Sequence, residues 1–151
     1  EHGPAEAHCR RALELNPESA AALVNLGTVY YHLKDWANAE SCYMRAIEID
    51  PNYALAQFNL ANLYDETGRR REASERYRAA LAADSTYADA HYNLALLCQS
   101  QGDIMEAARH WQAYLKLDRT SSWAMIARRE LDKLRRTAVV SGKRESGGSQ
   151  A

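Results

Sequence analysis

Three asparagines, Asn25, Asn59 and Asn93, stand thirty-four residues apart along the chain. An amide side chain offers an acceptor and two donors, so it can bond a peptide unit in both directions without reading that peptide's side chains. Three of them at one interval are suited to holding an extended backbone. One residue ahead of each stands an apolar or aromatic group, Val24, Phe58 and Tyr92, and such a line beside the amides suits the side chains of a bound segment. Other chemistry has no comparable pattern. His2, His8, His32, His91 and His110 form no HExxH and pair with no nearby nucleophile in sequence. Cys9, Cys42 and Cys98 are odd in number and follow no CxxC or Cys/His spacing, which reads as reduced structural thiols rather than metal ligands or a disulfide framework. No glycine-rich phosphate loop occurs. The expectation is a protein that is not an enzyme, with no catalytic residue, no cofactor and no metal.

Bulk properties narrow the class of partner. Among 151 residues, Lys and Arg total 19 against 20 for Asp and Glu, and a net charge of −1 supplies no field to draw in a polyanion. Nucleic acid is therefore a poor partner for this segment. The run of Arg69, Arg70 and Arg71 with Arg76 and Arg78 reads as a solvated outer face. Apolar stretches fall well short of the roughly 20 residues that a membrane-spanning helix needs, so no membrane is expected and the location is expected to be cytoplasmic.

The elements that would position the asparagines follow from self-similarity. At the same interval Leu26, Leu60 and Leu94 align, as do Gly27, Ala61 and Ala95, and Tyr30, Tyr64 and Cys98. Further along, Ala39, Ala73 and Ala107, then Tyr43, Tyr77 and Trp111, then Asp50, Asp84 and Asp118 align as well. Leu23, Leu26, Gly27 and Tyr30 fall on one face of a 3.6-residue helix, and Trp36, Ala39, Tyr43, Ala46 and Ile47 on one face of a second. Each unit is thus an antiparallel helical hairpin whose small residues let two backbones approach closely. Asp35 and Asp103 are placed to cap second helices, Gly68 and Gly102 to end first helices, and Pro17 and Pro51 to close units.

The runs LVNLGTVYYHLKDWANAESCYMRAIEIDP and FNLANLYDETGRRREASERYRAALAAD resemble tetratricopeptide repeats. That resemblance implies an all-α fold, a right-handed superhelix of stacked helix pairs with a concave groove. The expected divisions are the second helix of a truncated repeat at 1–19, repeats at 20–53, 54–87 and 88–119, a capping helix at 120–136 and a disordered tail at 137–151. The cap's stripe of Trp123, Ile126, Ala127, Leu131 and Leu134 matches a first helix only if the preceding linker is two residues shorter. Because residues 4–15 match only a second helix, the chain is expected to be part of a longer protein, and that helix's open face to invite a second molecule.

In such an array the first helices line the groove, and the residues off the packing stripe point into it. They are Val24, Asn25, Thr28, Tyr31 and His32, then Leu55, Phe58, Asn59, Asn62, Asp65 and Glu66, then Asp89, Tyr92, Asn93, Leu96 and Gln99. The asparagines are similar in place to the ladder of the O-linked N-acetylglucosamine transferase repeat domain, which implies binding of an extended peptide. Repeat domains that grip acidic chaperone tails use Lys and Arg at groove positions, and this set contains neither. The expected ligand is a protein or peptide segment, extended and basic or apolar rather than an acidic tail. The stretch LALLCQSQGDIMEAARHWQAYLKLDRTSSWAMIARREL also resembles the end of bacterial repeat proteins with an upstream helix-turn-helix domain. The alternative is therefore a sensor or oligomerisation segment of a larger regulator or enzyme.

Overall fold

The structure, a computed structural model, describes residues 3–147. Those residues contain eight α-helices and no strand: α1 Gly3–Leu15, α2 Ala20–His32, α3 Trp36–Ile49, α4 Ala54–Glu66, α5 Arg70–Ala83, α6 Ala88–Ser100, α7 Ile104–Leu117 and α8 Ser122–Gly147. They divide into two compact units, one running to Ala90 and the other beginning at His91.

Local chemistry explains where the helices stop and start. The Ser19 hydroxyl accepts from the Ala22 amide at the start of α2 (3.1 Å), and Asp35 and Asp103 accept from the amides of Asn38 and Glu106 at α3 and α7. Between the helices of each hairpin the chain makes the same left-handed turn. Arg69 N–H bonds Tyr64 O at 2.7 Å while Gly68 N–H bonds Asp65 O at 3.2 Å, and Gly68 has φ +81°. Gly102 repeats this turn with φ +80°, whereas in the first hairpin the position is held by Lys34, at φ 59°. Asp50, Asp84 and Asp118 each turn a carboxylate onto an amide two residues ahead, which ends one hairpin and aims the chain at the next helix.

Within the first unit α2 packs on α1, α3 and α4, and α4 packs on α3 and α5. The core repeats down the sequence: Leu26, Tyr30, Ala39 and Tyr43 of one hairpin, and Leu60, Tyr64, Ala73 and Tyr77 of the next, are all buried. Gly27 sits so close to α3 that a Cβ there would meet the Tyr43 ring at 2.7 Å and Cys42 Cβ at 3.1 Å. Successive hairpins are tied by one repeated bond, from Tyr30 OH to Glu6 at 3.1 Å and from Tyr64 OH to Glu40 at 2.8 Å. An arginine joins each pair: Arg10 bonds Glu6 and the Tyr30 hydroxyl, and Arg69 bonds Glu40 and covers the Tyr64 ring at 4.2 Å. Burial, then the Glu40 carboxylate, pushes the Tyr64 phenol up to about 12.

In the second unit α6 and α7 form a third hairpin and α8 packs on α7. The Trp111 indole donates to Gln99 Oε1 (3.1 Å), the Gln99 amide donates to Glu130 on α8 (2.8 Å), and Lys133 completes the chain at 3.2 Å from Glu130. Hydrogen bonds from Ser121 and Tyr114 hold the Asp118 carboxyl down at about 2 and fix the approach to α8. Helix α8 begins thirty-four residues after α6, and two expectations for this end are corrected. Its buried residues are Ala124, Ala127, Leu131 and Leu134, whereas Trp123 is 57% exposed because the helix faces its neighbours with small side chains there. The segment expected to be disordered from 137 stays helical to Gly147. It contains no proline, and Thr137 bonds back to Lys133 O at 3.0 Å. Residues 148–151 lie outside the described residues.

Candidate functional site

The first unit carries a recess of about 200 Å³ between α2, α3 and α4, lined by Thr28, Tyr31, His32, Tyr43, Asn59 and Asn62. Its construction follows from helical spacing. Thr28 and Tyr31 are three apart on α2, and Asn59 and Asn62 three apart on α4, so each pair stacks along one face. Tyr43 of α3 closes the floor with its hydroxyl 3.1 Å from Thr28 Oγ1, which also donates to Val24 O at 2.9 Å. One repeat later, Tyr77 OH donates to Asn62 Oδ1 at 2.5 Å. Thr28 and Asn62, both expected in the groove, thus spend hydrogen-bonding capacity on second-helix tyrosines.

The asparagines divide by environment. Asn25 is exposed, and Asn59 is half-buried in the recess. Neither side chain makes a hydrogen bond within the described residues. Asn93 lies half-buried on α6 in the second unit. Tyr31, half-buried, packs edge-on against Trp36 (5.3 Å) and His32 (5.7 Å). Asp65 and Glu66 follow Asn62 by three and four residues on α4, both exposed. Burial raises the Tyr31 phenol, and the fields of Glu66 and Asp65 raise it further, so both charges bear on the recess. Partial burial also raises the Asp65 carboxyl, which Arg70 only partly offsets.

The line of apolar groups ahead of the asparagines does not survive as a line. Val24 is a core residue, 2% exposed, because it faces the helix packing rather than open space. Phe58 is half-buried against Tyr87 (4.9 Å) and Tyr77 (5.9 Å). Asp89 is exposed and borders a second, shallower recess with Asp84, Thr86 and Tyr87. Sequence reasoning missed Tyr43, which belongs to the recess as well as to the core. Its signal was the recurrence of Tyr43 and Tyr77, since a tyrosine hydroxyl at the end of a packed ring needs a polar partner.

In the second unit Tyr92 is half-buried, edge-on to Trp111 (5.0 Å), Tyr114 (5.2 Å) and Trp123 (5.5 Å), and Leu96 is 44% exposed. The Gln99 amide, another groove candidate, is taken up by Trp111 and Glu130. His91 and His110 face each other across α6 and α7 with Nδ1 atoms 3.0 Å apart, and Glu106 lies 3.6 Å from the far nitrogen of His110. Among the described residues no group of three or more His, Cys, Asp and Glu could hold a metal ion. No helix among them is long and apolar enough to cross a membrane.

Comparison with known proteins bears on this arrangement. Two family models, both described as tetratricopeptide repeat, match residues 18–86 and 58–122. No curated protein matches. Among solved structures, the tetratricopeptide protein YrrB, described as having an unusual peptide-binding site, superposes with a TM-score of 0.76 at 22% identity, covering 83% of this chain and 63% of its own. MamA superposes at 0.69 and 20% identity over 94% of this chain and 89% of its own. The first such domain of Spaghetti, bound to the HSP90 peptide SRMEEVD, does so at 0.71 and 21% over 80% and 93%. The recurring hairpins, their shared turns and bonds, and two overlapping family matches that together span residues 18–122 lead to one conclusion: the chain belongs to the tetratricopeptide repeat family.

Proposed function

We propose that this protein is a non-catalytic scaffold whose first helices hold an extended peptide segment of a partner protein through backbone hydrogen bonds to asparagine amides. The observation that carries this reading is the pair Asn25 and Asn59. The side chains of these two, open to solvent or to a recess, make no hydrogen bond within the described residues and so offer a donor and acceptor set to a ligand. Asn93 repeats the position on α6. Two fold neighbours bound to, or described by, peptides support the class of ligand. The acidic peptide of one neighbour does not fit this chain, because the recess residues include no Lys or Arg and Asp65 and Glu66 stand beside them. A segment with basic or apolar side chains suits it better.

Affinity capture with the whole chain, repeated after Asn25→Ala, Asn59→Ala and Asn93→Ala are combined, tests the reading. Loss of the captured partner with unchanged helicity is expected. Equal capture by the triple variant would move the binding surface elsewhere. Self-association through α1 is a second reading, favoured by one observation. No residue of α1 is buried, whereas Ala39, Tyr43 and Ala46, the α3 equivalents of Ala5, Cys9 and Ala12, are.

A further inference from the structure

We infer that the recess between α2 and α4 is a subsite for one cationic side chain, an arginine or a lysine, of the bound segment. The inference rests on the peptide-binding reading and adds to it the charge of the guest. Three independent features of the recess converge on that choice. Its lining carries aromatic surface, chiefly the half-buried Tyr31, which Trp36 meets edge-on at 5.3 Å, with the buried Tyr43 beneath. A cation packs favourably on such faces. Its polar lining offers one acceptor with no hydrogen bond within the described residues, the Asn59 amide oxygen, beside the oxygens of Thr28 and Asn62, which already engage tyrosine hydroxyls, and it includes His32 but no Lys or Arg. A guanidinium or ammonium brings only donors and so meets those oxygens without leaving its own polar atoms idle.

The third feature is charge. Asp65 and Glu66 lie one helical turn beyond Asn62 on α4, about 5 Å along the axis. Neither makes an ion pair or a side-chain hydrogen bond within the described residues. On the outer side of the same unit, by contrast, Glu40 and Glu72 are both met by Arg69. Burial raises the Tyr31 phenol and the fields of Glu66 and Asp65 raise it further, in keeping with two negative charges near this lining residue. An apolar guest would desolvate these groups with no return, and an acidic one would be repelled. A cation is the chemistry that the lining satisfies.

The test is selection of a random heptapeptide library, displayed on phage, against the whole chain, followed by binding measurements on synthetic copies of the enriched peptides. Enriched peptides should carry an arginine or lysine at one common position. Replacing that arginine by citrulline, which keeps the shape and removes the charge, or that lysine by norleucine, should weaken binding about tenfold. Asp65→Asn with Glu66→Gln should weaken the cationic peptide by a similar factor and leave the neutral one unchanged. Peptides that depend on Asn25 and Asn59 but bear no common basic residue, or bind equally after neutralisation, would overturn the cationic subsite and leave the groove standing. Peptides indifferent to Asn25→Ala and Asn59→Ala, or a library yielding no binder, would overturn both.

Discussion

Lys34 occupies the left-handed position that glycine takes in the other two hairpins, with φ 59° against +81° at Gly68 and +80° at Gly102. A side chain there crowds the following carbonyl, at a cost of about 1–2 kcal/mol, while glycine adds freedom to the unfolded chain. We predict that Lys34→Gly stabilises the protein by about 0.5–1 kcal/mol in urea unfolding. Tyr64 makes a second prediction at this scale. Below pH 10 its phenol is neutral whether the chain is folded or not, so it leaves stability flat there. From 10 to about 12 the unfolded chain ionises first, and stability falls as pH rises through that window. Unfolding of Tyr64→Phe followed between pH 9 and 12 should show a shallower decline. Neither feature shows in residue type alone, because Lys34 looks like any surface lysine until its turn is seen to match the glycine turns.

Among the elements, α2 and α3 show how a small residue sets helix separation. A Cβ at Gly27 would lie 2.7 Å from the buried Tyr43 ring and 3.1 Å from Cys42 Cβ, so Gly27→Ala forces the hairpin apart. The expected cost is about 1–3 kcal/mol in denaturant unfolding. Helix propensity alone predicts the opposite sign, a gain of about 1 kcal/mol, so the measurement separates packing from propensity. The sequence marked this position through the alignment of Gly27 with Ala61 and Ala95, which is legible because small residues recur where backbones meet. It misjudged the far end of α8, where composition suggested disorder. Gly and Ser lower helix stability, but Gly142 and its neighbours stay within α8, where no proline interrupts the helix.

For the molecule as a whole, the exposed α1 leads to a concentration test. If α1 seats a second copy, sedimentation velocity should show mass rising with concentration, and Cys9→Lys with Ala12→Lys should return it to monomer at every concentration. A strict monomer in the unaltered chain at high concentration would remove that reading. The sequence by itself determined the helices, their hairpin pairing and the turns between them, because periodicity, caps and left-handed turns depend on residues within about one helical turn of each other. Tertiary structure alone decided which polar side chains remain available. Thr28, Asn62 and Gln99 read from the sequence as open groove positions, yet each bonds a ring from a helix twelve or fifteen residues away, while the side chains of Asn25 and Asn59 make no hydrogen bond within the described residues. Val24, placed in the groove by its neighbour Asn25, is core. Hydrogen-bond partners and burial are set by where distant segments come to rest, and no local pattern contains that information.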